Sequence, residues 1–128
     1  MARDGERVVA VVDDDFSVLR SLTNLFSSAG LRVETHKSAE AFLASGRLAN
    51  TGCLVLDLHM PGMSGIELFA RLNQADSRIP VVVLTARDED SVRARLLSGG
   101  AVAFLTKPFR AGEVLLAVQR ALDASLRA

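Results

Sequence analysis

Two hydrophobic periods take turns along the chain. Val8-Val9-Ala10-Val11-Val12 is an unbroken, largely β-branched run and predicts a central strand buried on both faces. It stops at Asp13-Asp14-Asp15, after which Phe16, Leu19, Leu22 and Phe26 recur at helical spacing with Val18 and Leu25 alongside, and Gly30 ends the helix. Asp14 or Asp15 is the expected N-cap, where the helix dipole favours an acid. Leu31 to Thr35 alternates apolar and polar positions and predicts a strand nearer an edge, with Leu31 and Val33 inward. Ser38 is expected to cap a short helix with Ala39, Phe42 and Leu43 on its inner face, and Arg47 to Gly52 reads as a polar connection.

The third strand is predicted over Cys53 to Asp57, apolar until its last residue. Pro61-Gly62 and Gly65 force a loop, and Ser64 is expected to cap a helix carrying Ile66, Leu68, Phe69 and Leu72. Ile79-Pro80 leads into a fourth strand, Val81 to Leu84, ending at Thr85; proline is tolerated at a strand's first residue. A weakly patterned helix over Ser91 to Ser98 closes at Gly99-Gly100, with Arg93 and Arg95 read as a solvated face. Ala101 to Leu105 is the fifth predicted strand, followed by Thr106-Lys107-Pro108. The last helix runs from about Gly112 to Arg127, with Val114, Leu115, Val118, Leu122 and Leu126 inward. Five strand–helix pairs predict a parallel sheet with helices on both faces, and right-handed crossovers favour the flavodoxin-like (βα)5 order 2-1-3-4-5. In that architecture ligands bind outside the carboxyl ends of the strands.

Composition narrows this picture. A chain of 128 residues suits one domain, with a structured core expected from about residue 7 to residue 126. The sequence has six Phe and no Trp or Tyr, so the core must rest on aliphatic side chains and Phe. A formal net charge of zero argues against nucleic-acid or membrane-surface binding by this domain. No apolar run approaches the ~20 residues of a membrane span, and Met1 to Arg7 is too polar for a secretory signal, so a cytoplasmic setting is expected. The single cysteine, Cys53, excludes an intramolecular disulfide and reads as a small buried apolar residue.

Chemistry gathers at the predicted strand ends. Asp13 and Asp14 follow the first strand, Asp57 ends the third, Thr85 the fourth, and Lys107 follows the fifth. A doubly wound sheet brings these ends to one edge. Clustered carboxylates repel one another and call for a cation; a hard divalent ion with oxygen ligands, Mg²⁺ above all and Mn²⁺ as a substitute, fits them. Such an ion neutralises an incoming phosphoryl group, Lys107 can pair with its oxygens, and the Thr85 hydroxyl can donate to one of them. Asp57, on the middle strand, is the carboxylate placed to attack phosphorus.

Four segments carry a family resemblance: Val11-Val12-Asp13-Asp14-Asp15, the Asp57 segment with Met60-Pro61-Gly62-Met63-Ser64-Gly65, Leu84-Thr85-Ala86, and Lys107-Pro108-Phe109. In this order and spacing the chain resembles the receiver domain of two-component response regulators over essentially its whole length. The segment through Ser38-Ala39-Glu40-Ala41-Phe42-Leu43 is similar to receivers that precede helix-turn-helix domains. The resemblance implies phosphorylation of Asp57 by a sensor histidine kinase or phosphotransfer protein. It further implies direct Mg²⁺ ligation by Asp14, Asp57 and the His59 backbone carbonyl, with Asp13 acting through a metal-bound water, and a cis Lys107–Pro108 peptide. A switch is implied in which Thr85 moves toward the phosphoryl group and Phe104 swings inward, exposing or hiding a docking or homodimerisation face on the fourth helix, fifth strand and fifth helix.

Three other functions compete. A phosphohydrolase of the haloacid-dehalogenase type would want a general acid two residues after Asp57, where His59 stands. A flavin carrier would want donors after the first strand, where three acids stand. A degenerate, unphosphorylated receiver acting as a binding module would lack an essential residue, and none is missing. The His59 side chain is not expected to ligate metal; shielding an acyl phosphate together with Arg87 suits it better. His36 is expected on the surface. Ala121 to Ala128 carries no recognisable DNA-binding pattern.

Overall fold

The computed structural model describes the backbone of residues 8–127 and the side chains of residues 8–123; Arg7 and the Leu126 side chain, both expected in the core, lie outside them. The sheet has five parallel strands: β1 (Val8–Val12), β2 (Arg32–His36), β3 (Thr51–Asp57), β4 (Val81–Thr85) and β5 (Ala103–Thr106). They are ordered β2-β1-β3-β4-β5. Helices α1 (Phe16–Ser28), α2 (Ala39–Ala44), α3 (Gly65–Gln74), α4 (Asp90–Ser98) and α5 (Ala111–Arg127) cover its two faces, and a 3-10 turn at Leu48–Asn50 precedes β3. The flavodoxin-like topology read from the sequence is the one adopted.

Strand alternation sorts the core into two clusters on opposite sides of the sheet. Val9, Val11, Cys53, Val55, Val82 and Leu84 pack with Leu19, Leu22 and Phe26 of α1 and Val114, Val118 and Ala121 of α5. Ala10, Val12, Leu54, Leu56, Val81 and Val83 pack with Ala39 and Phe42 of α2, Leu68, Phe69 and Leu72 of α3, Leu96 of α4, and Phe104. Leu22 and Phe26 are fully buried, each contributing roughly 1.5–3 kcal/mol of apolar burial.

Side-chain caps start three helices. Asp15 Oδ1 accepts from Ser17 N at 2.8 Å, Ser38 Oγ from Ala41 N at 3.0 Å, and Ser64 Oγ from Glu67 N at 3.1 Å. The cap of α1 is therefore Asp15, which leaves Asp14 free for the sheet edge.

Several expectations are corrected. Phe16 is 66% exposed and Leu43 38%: Phe16 opens α1 just past the carboxyl end of β1, and α2 is only six residues long and buries just Ala39 and Phe42. β3 begins at Thr51 rather than Cys53, because the 3-10 turn delivers the chain straight into pairing with β1 at Val8. β2 is shifted by one residue to end at His36, and β5 starts at Ala103. His36 is half-buried rather than on the surface, its ring edge-on to Phe42 with centroids 5.2 Å apart; burial lowers its pKa. Gly100, at φ +109°, supplies the positive dihedral after α4, while Gly99 is the C-cap. As its thin pattern predicts, α4 buries only Leu96.

Candidate functional site

Parallel register builds the site. Val12 pairs with Leu56, so Asp13 and Asp57 emerge side by side at the carboxyl edge. Asp57 itself pairs with Leu84, which sets Thr85 one step beyond it on β4, and Thr85 pairs with Thr106, immediately before Lys107. Asp13, Asp57 and Thr85 are all buried, at 1%, 4% and 0% exposure, whereas Asp14 faces solvent.

Lys107 is the centre of the ion pairing. Its Nζ donates to Asp13 Oδ2 at 2.8 Å and stands 3.7 Å from Asp57 Oδ1. Its backbone N–H donates to Thr85 O at 2.7 Å, tying the start of the β5–α5 connection to the end of β4. The Lys107–Pro108 peptide is cis, as the resemblance implied. Asp13 Oδ1 accepts from Asp15 N at 2.8 Å, and Asp57 Oδ1 accepts from His59 N at a long 3.4 Å. Both described contacts of Asp57 use Oδ1. Thr85 Oγ1 accepts from Arg87 N at 3.2 Å; it shares the edge with Asp57, and none of the described hydrogen bonds joins the two.

The electrostatics follow from this packing. Burial, followed by the neighbouring charge of Asp13, pushes the Asp57 carboxyl from 3.8 up to about 6; Lys107 and the His59 N–H pull the other way and Asp14 adds to the rise. Burial works against the Lys107 charge too, but its hydrogen bond to Asp13 and the charges of Asp13, Asp57 and Asp15 outweigh that and raise its pKa. Carboxylate oxygens of Asp13, Asp14 and Asp57 lie within 4.8 Å of one another. Three carboxylates against one ammonium leave a surplus of negative charge in a partly buried oxygen cluster. That donor set fits a hard divalent cation such as Mg²⁺, and the exposure of Asp14 leaves room for the waters Mg²⁺ retains.

The remaining expected residues differ in exposure. The His59 and Arg87 side chains are exposed, and Phe104 points inward at 6% exposure. Arg93, expected on a solvated face, instead lies over the Phe104 ring at 4.9 Å and pairs with Asp88 at 3.0 and 3.2 Å. Glu40 reaches from α2 to accept from Met63 N at 2.9 Å. The periodicity marks Glu40 only as an outward helix residue, and no sequence signal discloses that reach.

Comparison with known proteins agrees with the geometry. Residues 9–119 match the family model described as the response regulator receiver domain. Nodulation protein W of Bradyrhizobium diazoefficiens is 44% identical over 116 residues, covering 91% of this chain and 51% of that protein. Response regulator protein TmoT of Ectopseudomonas mendocina is 41% identical over 120 residues, covering 93% of this chain and 54% of that protein. Among solved structures, the response regulator StyR superposes with a TM-score of 0.88 at 44% identity, over 94% of this chain and 61% of that one. FixJ-N superposes with a TM-score of 0.81 at 36% identity, over 96% of both chains. The chain thus spans about half the length of the curated relatives it matches.

Proposed function

The chain belongs to the response regulator receiver domain family, and from that premise we propose that it accepts a phosphoryl group on Asp57 from the phosphohistidine of a sensor histidine kinase or phosphotransfer protein. The observation that carries this reading is the buried Asp57 carboxylate set between Asp13 and Lys107 at the carboxyl edge of the sheet. An Asp57 oxygen attacks phosphorus; the O–P bond forms as the N–P bond to the partner's imidazole breaks, and the imidazole leaves with the electron pair and takes up a proton. Lys107 exchanges part of its pairing with Asp13 for the phosphoryl oxygens, and the Thr85 hydroxyl donates to one of them. Asp13, Asp14, Asp57 and the His59 backbone carbonyl would hold Mg²⁺, or Mn²⁺ in its place. When bound, the ion offsets the negative charge that the carboxylates and the phosphoryl group bring together. The protein turns over nothing but its own phosphoryl group, slowly, and is in that sense not an enzyme.

Residues 1–128 form one receiver unit in this reading, acting in the cytoplasm beside its kinase; none of the described helices is long and apolar enough to cross a membrane. Phosphorylation draws Thr85 toward the phosphoryl group and engages Phe104. The face of α4, β5 and α5 receives the signal, where Leu97, Val102 and Leu116 are 40%, 47% and 47% exposed. A homodimer through that face is the simplest output of the domain, and it binds no nucleic acid itself. Two of the longer relatives, FixJ and TdiR, are transcriptional regulatory proteins by name, and control of transcription by a protein containing this domain follows as part of the proposal.

Acetyl phosphate with Mg²⁺ should add one acid-labile phosphoryl group, and borohydride trapping with mass spectrometry should place it on Asp57. Undiminished labelling of Asp57→Ala would sink the assignment. Sedimentation with and without beryllofluoride tests the output; a monomer under both conditions rejects dimerisation as the switch.

A further inference from the structure

Leu58 and Met60 are buried at the start of the segment between Asp57 and α3, Ser64 caps the helix at its end, and three further hydrogen bonds hold the backbone. At its base Gly65 N donates to Leu58 O at 3.0 Å, and at its inner side His59 N donates to Asp57 Oδ1 at 3.4 Å. The third hold comes from outside the segment: Glu40, 23 residues before Met63, accepts from its N–H with Oε2 at 2.9 Å. That N–H lowers the Glu40 pKa, so the contact is made by a charged carboxylate. Glu40 stands on a fixed base, because Ser38 caps α2 and the flanking Ala39 and Phe42 are buried at 0% and 1% exposure. Gly62 makes room for it. Its φ is +75°, which favours glycine, and a Cβ there would stand 2.6 Å from Glu40 Oε2.

We infer that Glu40 is a positioning residue: its carboxylate fixes the turn at Gly62–Met63 and thereby sets the His59 backbone against Asp57 and the neighbouring carboxylates. The inference rests on the receiver reading above, in which the His59 carbonyl completes the cation site. Its geometric part, a strut from α2 to the acceptor loop, stands on the contacts alone. Apart from the Glu40 contact, the buried Leu58 and Met60 side chains and the Ser64 cap at the start of α3, the described hydrogen bonds of the backbone between Leu58 and Gly65 are one long bond at His59 and one closure at Gly65. Removing the strut frees the far side of the loop without touching the metal-facing carboxylates.

The test compares Glu40→Ala and Glu40→Gln with the unaltered chain. In metal-free protein, amide exchange at Met63 should accelerate about tenfold in Glu40→Ala, with β3 amides unchanged, and less in Glu40→Gln, which keeps a neutral acceptor. Calorimetric titration with Mg²⁺ alone should show affinity lower by roughly three- to tenfold in Glu40→Ala, partly restored in Glu40→Gln. Acetyl phosphate labelling at limiting Mg²⁺ should fall in the same order. Unchanged Met63 exchange overturns the strut. Faster exchange with unaltered Mg²⁺ affinity overturns its positioning role, as does acceleration spread through β3, which would signal general destabilisation. If the unaltered chain takes no phosphoryl group on Asp57, the receiver reading fails instead, whatever Met63 does.

Discussion

Asp57→Asn should make the metal-free protein more stable. The substitution keeps the shape of the side chain and removes one of three clustered carboxylates. The folded Asp57 carboxyl protonates at about 6 against 3.8 as its reference, and each unit is worth about 1.4 kcal/mol, so ionising it in the fold costs at most about 3 kcal/mol. Solvent at the open strand edge screens part of that repulsion, and a gain of about 1–2 kcal/mol is expected near pH 7.5. The sign follows from linkage: a raised folded pKa means that protonation favours the native state. This contribution is complete below the reference value and is lost as pH rises through about 6. The advantage of asparagine should therefore shrink on acidification, to about half near pH 5. Urea unfolding of both proteins in chelator, followed by far-ultraviolet circular dichroism, measures it at each pH. Comparing the pair at the same pH cancels the titrations of groups that are not coupled to Asp57. Equal midpoints near pH 7.5, or a difference that does not change with pH, would refute the electrostatic account of the site. Adding Mg²⁺ should narrow the gap, since a ligand of the native carboxylate cluster stabilises the parent more than the variant.

Three further outcomes are expected. Gly65→Ala should lose at least about 2 kcal/mol, because a Cβ would run into the Asp57 carbonyl oxygen and stand 2.8 Å from Leu58 Cα, both of them backbone; a urea midpoint close to the parent's would contradict that packing. The Cys53 thiol, pushed up to about 12 by burial, should react with an aromatic disulfide reagent only as fast as the protein unfolds, and rapid labelling in native buffer would be inconsistent with its place in β3. Phe42→Ala should cost about 3–5 kcal/mol while Leu43→Ser stays within about 0.5 kcal/mol, a contrast between neighbours read directly from denaturant midpoints.

Much of this molecule was legible because its signals are local. An unbroken Val8–Val12 run can only be satisfied between two neighbours and two helical layers, and right-handed crossovers leave few strand orders, of which 2-1-3-4-5 leads. Asp13, Asp14, Asp57, Thr85 and Lys107 could be placed together because the fold sends every strand's carboxyl end to one edge. What escaped depends on where an element stops relative to its neighbours. Phe16 and Leu43 fit the helical period, yet they are exposed while Leu19 and Phe42 are buried. Arg93 and Glu40 escaped for a different reason. Long charged side chains have several rotamers, and which one reaches Phe104 or Met63 is decided by packing that the sequence pattern does not encode.

The two-sided core has a mechanical consequence. Phe104 and Leu96 belong to the cluster that α2, α3 and α4 build on one side of the sheet, while α1 and α5 close the other. Displacing α4, held by Leu96 and the Arg93 contacts, disturbs only the first cluster. The sheet behaves as a bulkhead: α1 packs on one side as a stator, and α4 packs on the other as a lever. A surface made of α1 is therefore mechanically separate from one made of α4.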